Sequence, residues 1–282
     1  MLSPSPTATA KPHWIRLQPS KGWVSLKLSE LWEYRELLYF LTWRDIKIRY
    51  KQTALGAAWA VIQPVFTMLV FSIFFGKLAR MPSDGIPYPI FSFAALVPWT
   101  LFVYGLTQAS NSLVGSSNLI RKVYFPRLVI PISSLFSGVV DFLIAFAILL
   151  GMMLYYGIHP TFNAIWLPMF VLLTLVTSLG IGLWLSALNV EYRDVKYVVE
   201  VLVTFAIFFT PVFYDVSMFG KWANVFLLNP LAPILEGFSA CVIGGQMPQI
   251  KWILYSTAVS LATFAFAFVF FTKLEPLFAE RI

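Results

Sequence analysis

Long stretches without charge constrain this chain more than any other feature. No Asp, Glu, Lys or Arg occurs from Gln52 to Gly76, and the stretch from Leu128 to Val190 carries a single one, Asp141. A helix needs about 20 apolar residues to cross the ~30 Å hydrocarbon core of a bilayer. Charged residues make up 12% of the chain, whereas a soluble domain carries roughly 25%. The sequence therefore predicts an all-α membrane protein.

The uncharged stretches divide into six predicted transmembrane helices. The longest stretch is broken at Pro160, since proline cannot continue a helix and disfavours helix before it. The predicted spans are residues 57–75, 88–110, 128–156, 162–188, 197–214 and 252–272.

Residues 222–249, between the fifth and sixth spans, are apolar but interrupted by prolines and glycines such as Pro230, Pro233 and Gly237. Irregular backbone is tolerated at membrane depth only where protein buries it or a wet cavity borders it. We expect one or two short re-entrant or interfacial helices here, and an ordered extracytoplasmic loop is the alternative.

The distribution of Lys and Arg predicts the orientation. Apart from Lys77, Arg80, Lys221 and Lys251, every Lys and Arg falls in the termini or in the loops on the same side of the membrane as the termini. Cytoplasmic loops carry the excess of positive charge, so both termini are expected in the cytoplasm. The same rule accounts for the net charge of +7 without a nucleic-acid partner.

Before the first span we expect a variable cytoplasmic leader, 1–28, and an amphipathic interface helix, 29–56, ahead of a single transmembrane domain, 57–282. Leu31, Tyr34, Leu38 and Leu41 recur at helical spacing. Such a helix either lies in the membrane interface and binds anionic headgroups or holds a partner subunit. Its basic end contains Arg44, Lys47, Arg49 and Lys51.

Residues that would perform catalysis are sparse. The chain has no Gly-x-x-x-x-Gly-Lys-Ser/Thr loop for ATP, and one cysteine and two histidines argue against a Cys- or His-based metal site. Asp141 falls within the third predicted span and Glu200 near the start of the fifth. A charge at membrane depth is costly and is often functional. For Asp141 we favour a structural bond to a neighbouring helix over a proton relay.

Two loops on the cytoplasmic side are short, charged and aromatic. Each either presents a small helix to a partner in the cytosol or is an ordinary positive loop. The first contains Asn118, Leu119, Ile120, Arg121, Lys122, Val123, Tyr124, Phe125, Pro126 and Arg127. The second contains Tyr192, Arg193, Asp194, Val195 and Lys196.

These motifs resemble the type-2 ABC permeases, particularly those that export lipid-linked polysaccharides such as O-antigen, capsule and teichoic acid. The similarity extends over nearly the whole chain from about Glu30 onward. The matching segments are Asn-Leu-Ile-Arg-Lys-x-x-Phe-Pro-Arg at 118–127, Tyr-Arg-Asp-Val-Lys-Tyr at 192–197, Asp-Ile-Lys-x-Arg-Tyr at 45–50, Thr-Pro-Val at 210–212 and Asn-Pro at 229–230.

The resemblance implies a transport subunit of a bacterial cytoplasmic (inner) membrane and not an enzyme. Two identical copies would pair with two cytoplasmic ATPase subunits, which would bind ATP and Mg, so that this chain holds no cofactor. Residues 118–127 would be the main coupling helix and 192–196 a second contact with the ATPase. The interface helix would contribute Arg44, Asp45, Lys47, Arg49 and Tyr50.

The resemblance also implies a channel between the two copies, lined by the first and fifth spans, through which a lipid-linked glycan passes. From helix position we expect Phe66, Phe208, Phe209 and Tyr214 to line it. Aromatic rings can stack on sugars, although a place in the interfacial belts is the alternative for each ring. A drug or small lipid is the alternative cargo. The competing classes are an ion-coupled secondary transporter, which would need ion-binding residues at mid-membrane, and a membrane-embedded glycosyltransferase.

Overall fold

The computed structural model describes residues 28–51, 56–83, 85–244 and 247–278. These residues are almost entirely helical, with no strand among them, as predicted. Residues 1–27 of the expected leader lie outside the described ranges, as do residues 52–55 at the end of the expected interface helix.

Two helices precede the first long apolar helix. Helix α1 runs over Leu28–Glu33 and α2 over Arg35–Lys51, with a turn at Tyr34 between them. A helix is therefore present where the amphipathic pattern predicts one. Its inward side packs on the end of the bundle that carries the two charged loops.

Among the residues that the structure describes, five helices are long and apolar enough to cross a membrane. They begin and end close to the predicted first, second, third, fourth and sixth spans. The five segments are Ala58–Leu78, Tyr88–Gly115, Val129–Tyr156, Phe162–Glu191 and Ile250–Leu277. Their principal α-helices are α3 (Gly56–Phe71), α4 (Tyr88–Gly115), α6 (Val129–Tyr156), α7 (Leu167–Glu191) and α11 (Ile250–Leu274), and the short helix α5 (Ser117–Lys122) follows α4.

The predicted fifth span differs from the expectation. Helix α8 covers Val195–Ala206 and one 3₁₀ turn continues it to Phe209, so helix does not reach Tyr214. Thr210 is extended (φ −123°, ψ 137°) because it precedes Pro211, whose ring disfavours helix at the preceding residue. At 1.5 Å per residue, α8 alone extends about 18 Å, which is short of a bilayer core.

Short helices occupy the region between α8 and α11, as the proline and glycine pattern predicts. A 3₁₀ segment, Val216–Trp222, leads into α9 (Ala223–Phe226) and α10 (Leu231–Ile243). Most side chains of α10 are buried, and Gly244 ends the helix in the left-handed region (φ 78°). Helix α10 is therefore packed into the protein, whereas α9 has no buried side chain.

Helix α4 is the centre of the bundle and contacts α6, α7, α3 and α10. Helix α11 packs along α7, where Gly180 lets the backbone of Phe264 approach. By contrast, α3 and α8 are peripheral. Among their described side chains only Met68 and Val199 are buried.

Candidate functional site

An apolar cluster at one end of the bundle joins residues 118–127, and the end of α7 that leads into the second charged loop, to helix α2. We call it the base cluster. It contains Leu41 of α2, Ile120 of α5, Phe125, Val190 at the end of α7 and Phe271 of α11. The same cluster includes the start of α6 at Val129 and Ile130. The base cluster therefore links residues 118–127 to α2, α6, α7 and α11 through close apolar contacts.

Within residues 118–127 the side chains divide into anchors and an exposed face. Ile120 and Phe125 are buried in the base cluster, and Leu119 packs against it. The exposed face consists of Asn118, Arg121, Lys122, Val123 and Tyr124, and the last of these has 69% of its side chain exposed. The loop is thus held rigidly while it presents two cations and a ring to the exterior.

Arg127 does not belong to the exposed face. Its backbone N–H donates to Glu275 Oε1 at 3.0 Å, and its guanidinium donates to the backbone carbonyl of Glu275. Glu275 directly follows α11. Pro126 is half-buried beside it. Arg127, one of the expected coupling residues, therefore fixes the loop to the end of the last long helix.

The second loop emerges at the same end. The side chains of Tyr192, Arg193, Asp194 and Lys196 are exposed, and the Lys196 ammonium lies 4.7 Å from the ring centroid of Tyr197. Helix α7 is tied to α4 just before this loop, because the Asn189 side-chain amide donates to the Ser110 carbonyl at 3.0 Å. Both loops therefore project from one end of the α4–α7 pair.

The interface helix has two different faces. Its inner face, which includes Leu38 and Leu41, packs on the base cluster. Its outer face exposes large rings, namely Trp32, Tyr39, Phe40 and Trp43. Arg44 and Asp45 form an ion pair at 2.8 Å on the same helix, and Lys47 is exposed.

The last turn of α2 contacts the third span. Arg49 Nη2 lies 2.7 Å from Asp141 Oδ2, and the Tyr50 hydroxyl donates to Asp141 Oδ1. Burial, followed by the hydrogen bond to Asp141, raises the pKa of Tyr50 well above its usual range, so that the hydroxyl stays protonated and remains a donor. The expected bond between Asp141 and a neighbouring helix is therefore confirmed, and its partner is the interface helix.

A third helix joins this contact. The Arg49 guanidinium lies 4.5 Å from the ring centroid of Tyr104 in α4, and the Tyr104 hydroxyl is 2.8 Å from Ser137 Oγ in α6. Gly138 makes room for the ring, since a Cβ there would lie 2.2 Å from Tyr104 Cδ1. Tyr104, Ser137 and Gly138 could not be identified from the sequence, because their only signal is their position in space around Asp141.

A groove of about 390 Å³ opens beside this contact. Helices α3, α4 and α6 border it, with Gln63, Trp99, Tyr104 and Phe142 among its walls. It therefore combines aromatic faces with amide and hydroxyl groups.

The aromatic residues expected in a channel divide into two groups. Phe66, Phe208 and Phe209 expose more than half of their side chains on the peripheral helices. Tyr214 is placed differently from the expectation, because it is 4% exposed, donates to the Phe208 carbonyl at 3.0 Å and packs edge-on against Phe213 and other rings. Its position within the protein follows from the end of helix at Phe209.

One half-buried acid could not be singled out from the sequence. Glu236 lies on α10, outside the five long helices, and its pKa is raised to about 7 by burial and then by the nearby Asp215. Glu200, the other acid considered, is exposed on α8. Within the described residues, His, Cys, Asp and Glu side chains form no group of three that could hold a metal ion.

An apolar bundle of long helices with charged loops at one end is typical of a multi-pass membrane protein. Residues 36–243 match the family model described as ABC-2 type transporter. Because the match covers most of the chain, this protein belongs to the ABC-2 type transporter family. It is a multi-pass transport subunit of the inner membrane and not an enzyme.

Curated relatives agree with this family. The chain is 30% identical over 257 residues to the O-antigen export system permease protein RfbA of Myxococcus xanthus, with 90% of this chain and 98% of the relative covered. It is 28% identical to the RfbA protein of Klebsiella pneumoniae, with 87% and 94% covered. It is 24% identical to the polysialic acid transport protein KpsM of Escherichia coli, with 78% and 86% covered.

Proposed function

We propose that this chain is the permease subunit of an ATP-driven exporter that moves a lipid-linked polysaccharide, of the O-antigen, capsule or teichoic acid type, across the cytoplasmic membrane. The observation that carries the proposal is near full-length similarity to permeases named for polysaccharide export, in a chain with rigid charged loops at one end. Membership of the ABC-2 family argues against an ion-coupled secondary transporter, as does the pairing of Asp141 with Arg49 and Tyr50.

Energy would reach this chain through a separate cytoplasmic ATPase that binds ATP and Mg. Its docking surface would be the exposed face of residues 118–127, with the loop 192–196 as a second contact. A docking surface can pass on movement of the ATPase only if its own residues are held rigidly by the rest of the protein. The buried anchors Ile120 and Phe125 and the bond between Arg127 and Glu275 provide that rigidity.

In the membrane, we place both termini and the two charged loops in the cytoplasm, in accordance with the distribution of Lys and Arg. Six crossings would arise if α8 and the residues after it complete the path that α8 is too short to cover alone. Helix α10, buried in the bundle but only 13 residues long, would be re-entrant from the outer side. The interface helix would place Trp32, Tyr39 and Trp43 at headgroup level, where aromatic rings are favoured.

The functional unit would contain two copies of this chain and two ATPase subunits. In the first span and α8 most described apolar side chains are exposed or half-buried, and α3 also carries Gln63 on its surface. Two copies facing each other across these helices would enclose a channel. Phe66, Phe208 and Phe209 would line it and offer ring faces to sugars, which favours a glycan over a drug or small lipid as cargo.

The test is co-purification followed by reconstitution. The chain is extracted in mild detergent with the proteins bound to it, and the complex is placed in liposomes that contain lipid-linked glycan. An ATPase with a Walker A loop at equal stoichiometry, together with ATP-dependent glycan export, is the expected result. A chain that purifies alone and moves substrate without ATP would overturn the proposal. Export of a drug or short lipid in preference to glycan would overturn the assignment of cargo only.

A further inference from the structure

We propose that the contact of Arg49 and Tyr50 with Asp141 is a positioning device that carries movement of the ATPase-docking end to the first span. The inference rests on the proposed function and deepens it. Arg49, Tyr50 and Asp141 act as positioning residues, since none of them is assigned to the transported glycan.

Helix α2 packs along α6, and two of its contacts matter for this inference. Its inner face, including Leu41, is buried with Ile120 and Phe125 in the base cluster. Its last turn is bound to Asp141 in the third span. From Leu41 to Arg49 the helix rises about 12 Å. A helix of this length is stiff, so that a displacement of residues 118–127, the proposed docking loop, would be transmitted to Asp141.

The first span begins shortly after this contact. Only residues 51–55 separate Tyr50 from the start of α3 at Gly56. Helix α3 has few anchors of its own, and Met68 is the only buried side chain among those of residues 58–71. The contact at Asp141 therefore lies close to the base of a helix that packs on the core through a few side chains, among them Val65, Met68 and Phe71. A change in the position of the base of α3 would therefore move the wall of the proposed channel.

The contact of Arg49 with Asp141 is better suited to fixing the position of α2 than to stabilising the folded protein. Arg49 is held from two sides, by the carboxylate of Asp141 and by the ring of Tyr104 in the second span. The second span leads directly through Ser116 into the docking loop. Partly buried ion pairs add little net stability compared with apolar packing of the same volume, but they fix one geometry. A contact that serves position more than stability fits a mechanical role.

Removal of the contact should uncouple the two activities of the assembled transporter. The Asp141→Asn and Tyr50→Phe variants each keep side-chain shape, the first removing the charge and the second only a hydroxyl. Purified complexes of permease and ATPase are reconstituted, and glycan export and phosphate release are measured on the same liposomes. Each variant should export roughly fivefold less glycan per ATP hydrolysed, or less still, while hydrolysis continues.

Two matched control substitutions lie on α2. Glu36→Gln removes a carboxylate from the exposed side of α2, and Tyr39→Phe removes a hydroxyl from a ring that is 71% exposed. Both should keep the wild-type ratio of export to hydrolysis. The charge exchange Arg49→Asp with Asp141→Arg should restore part of the ratio that Asp141→Arg alone loses.

The outcomes separate the two proposals. A wild-type complex without ATP-dependent glycan export would overturn the proposed function. The positioning role alone would be overturned if the wild-type complex exports glycan and the Asp141→Asn and Tyr50→Phe variants keep its ratio of export to hydrolysis. A proportional loss of export and hydrolysis in these variants would overturn it as well. If Asp141→Asn does not assemble, Tyr50→Phe and the charge exchange decide the question by the same ratio.

Discussion

Arg127 and Glu275 join the end of the charged loop 118–127 to the end of the last long helix. The Arg127 backbone N–H donates to Glu275 Oε1 at 3.0 Å, and the Arg127 guanidinium donates to the Glu275 carbonyl. The two residues are 148 positions apart in the chain. This contact connects the segment between the second and third spans with the segment that follows the sixth predicted span.

The bond makes Glu275 a determinant of the loop's position. Glu275→Ala leaves a part-buried N–H without its acceptor, which costs about 1–3 kcal/mol. We expect a lower midpoint of thermal unfolding in detergent and weaker binding of the ATPase. Glu33→Ala, which removes an exposed acid from α1, serves as the control and should change neither quantity. An unchanged unfolding midpoint in Glu275→Ala would contradict the assigned contact.

Truncation of Phe125 and truncation of its neighbour Tyr124 should affect different properties of the permease. Phe125 is 4% exposed and Tyr124 is 69% exposed. Phe125→Ala should destabilise the permease by about 3–5 kcal/mol, as truncation of a buried ring does. Tyr124→Ala should leave the unfolding midpoint within experimental error and reduce binding of the ATPase. Thermal unfolding and a pull-down of the ATPase on both variants check the pair, and a stable Phe125→Ala protein would argue against the anchoring role.

Helix α10 packs so closely on the fourth span that a side chain at Gly237 should destabilise the protein. A Cβ at Gly237 would lie 2.2 Å from Cζ of Phe170, whereas a Cβ at Gly151 would meet nothing within 4 Å. Gly237→Ala should therefore cost about 1–3 kcal/mol of stability through overpacking. Gly151→Ala should be neutral or slightly stabilising, because alanine is the better helix former. Equal unfolding midpoints for the two variants would contradict the packing.

The raised pKa of Glu236 predicts a pH dependence of stability. With a pKa of about 7 in the folded state, against an ordinary value of 4.5, the protonated side chain is favoured by folding. The resulting stabilisation is complete below pH 4.5 and is lost as the pH rises through 7. Glu236→Gln should remove this component and unfold at a higher temperature than the wild type at about pH 8. Unfolding midpoints between about pH 5 and 8 check it, and parallel curves for both proteins would contradict it.

Much of the fold could be predicted because the signals are local. Pro160 separates the third and fourth spans as expected, and Gly157 ends α6 in the left-handed region (φ 67°). The early end of α8 is also encoded locally, by Pro211, but the apolar run continues past it to Tyr214. The prediction failed there because hydropathy does not distinguish a continuous helix from an apolar chain that turns back into the protein.

The sequence by itself determined the class of protein, the helices and the loops that carry charge. Run length, proline position and the placement of Lys and Arg act over a few residues, so they can be read along the chain. Tertiary structure alone decided that Asp141 contacts Arg49 and Tyr50. It also decided that Phe125 is buried beside an exposed Tyr124, and that few side chains of α3 and α8 are buried. In a membrane chain apolar side chains occur on every helix face, since lipid and protein interior favour the same residues. Which face meets protein is therefore settled only by packing between segments far apart in sequence.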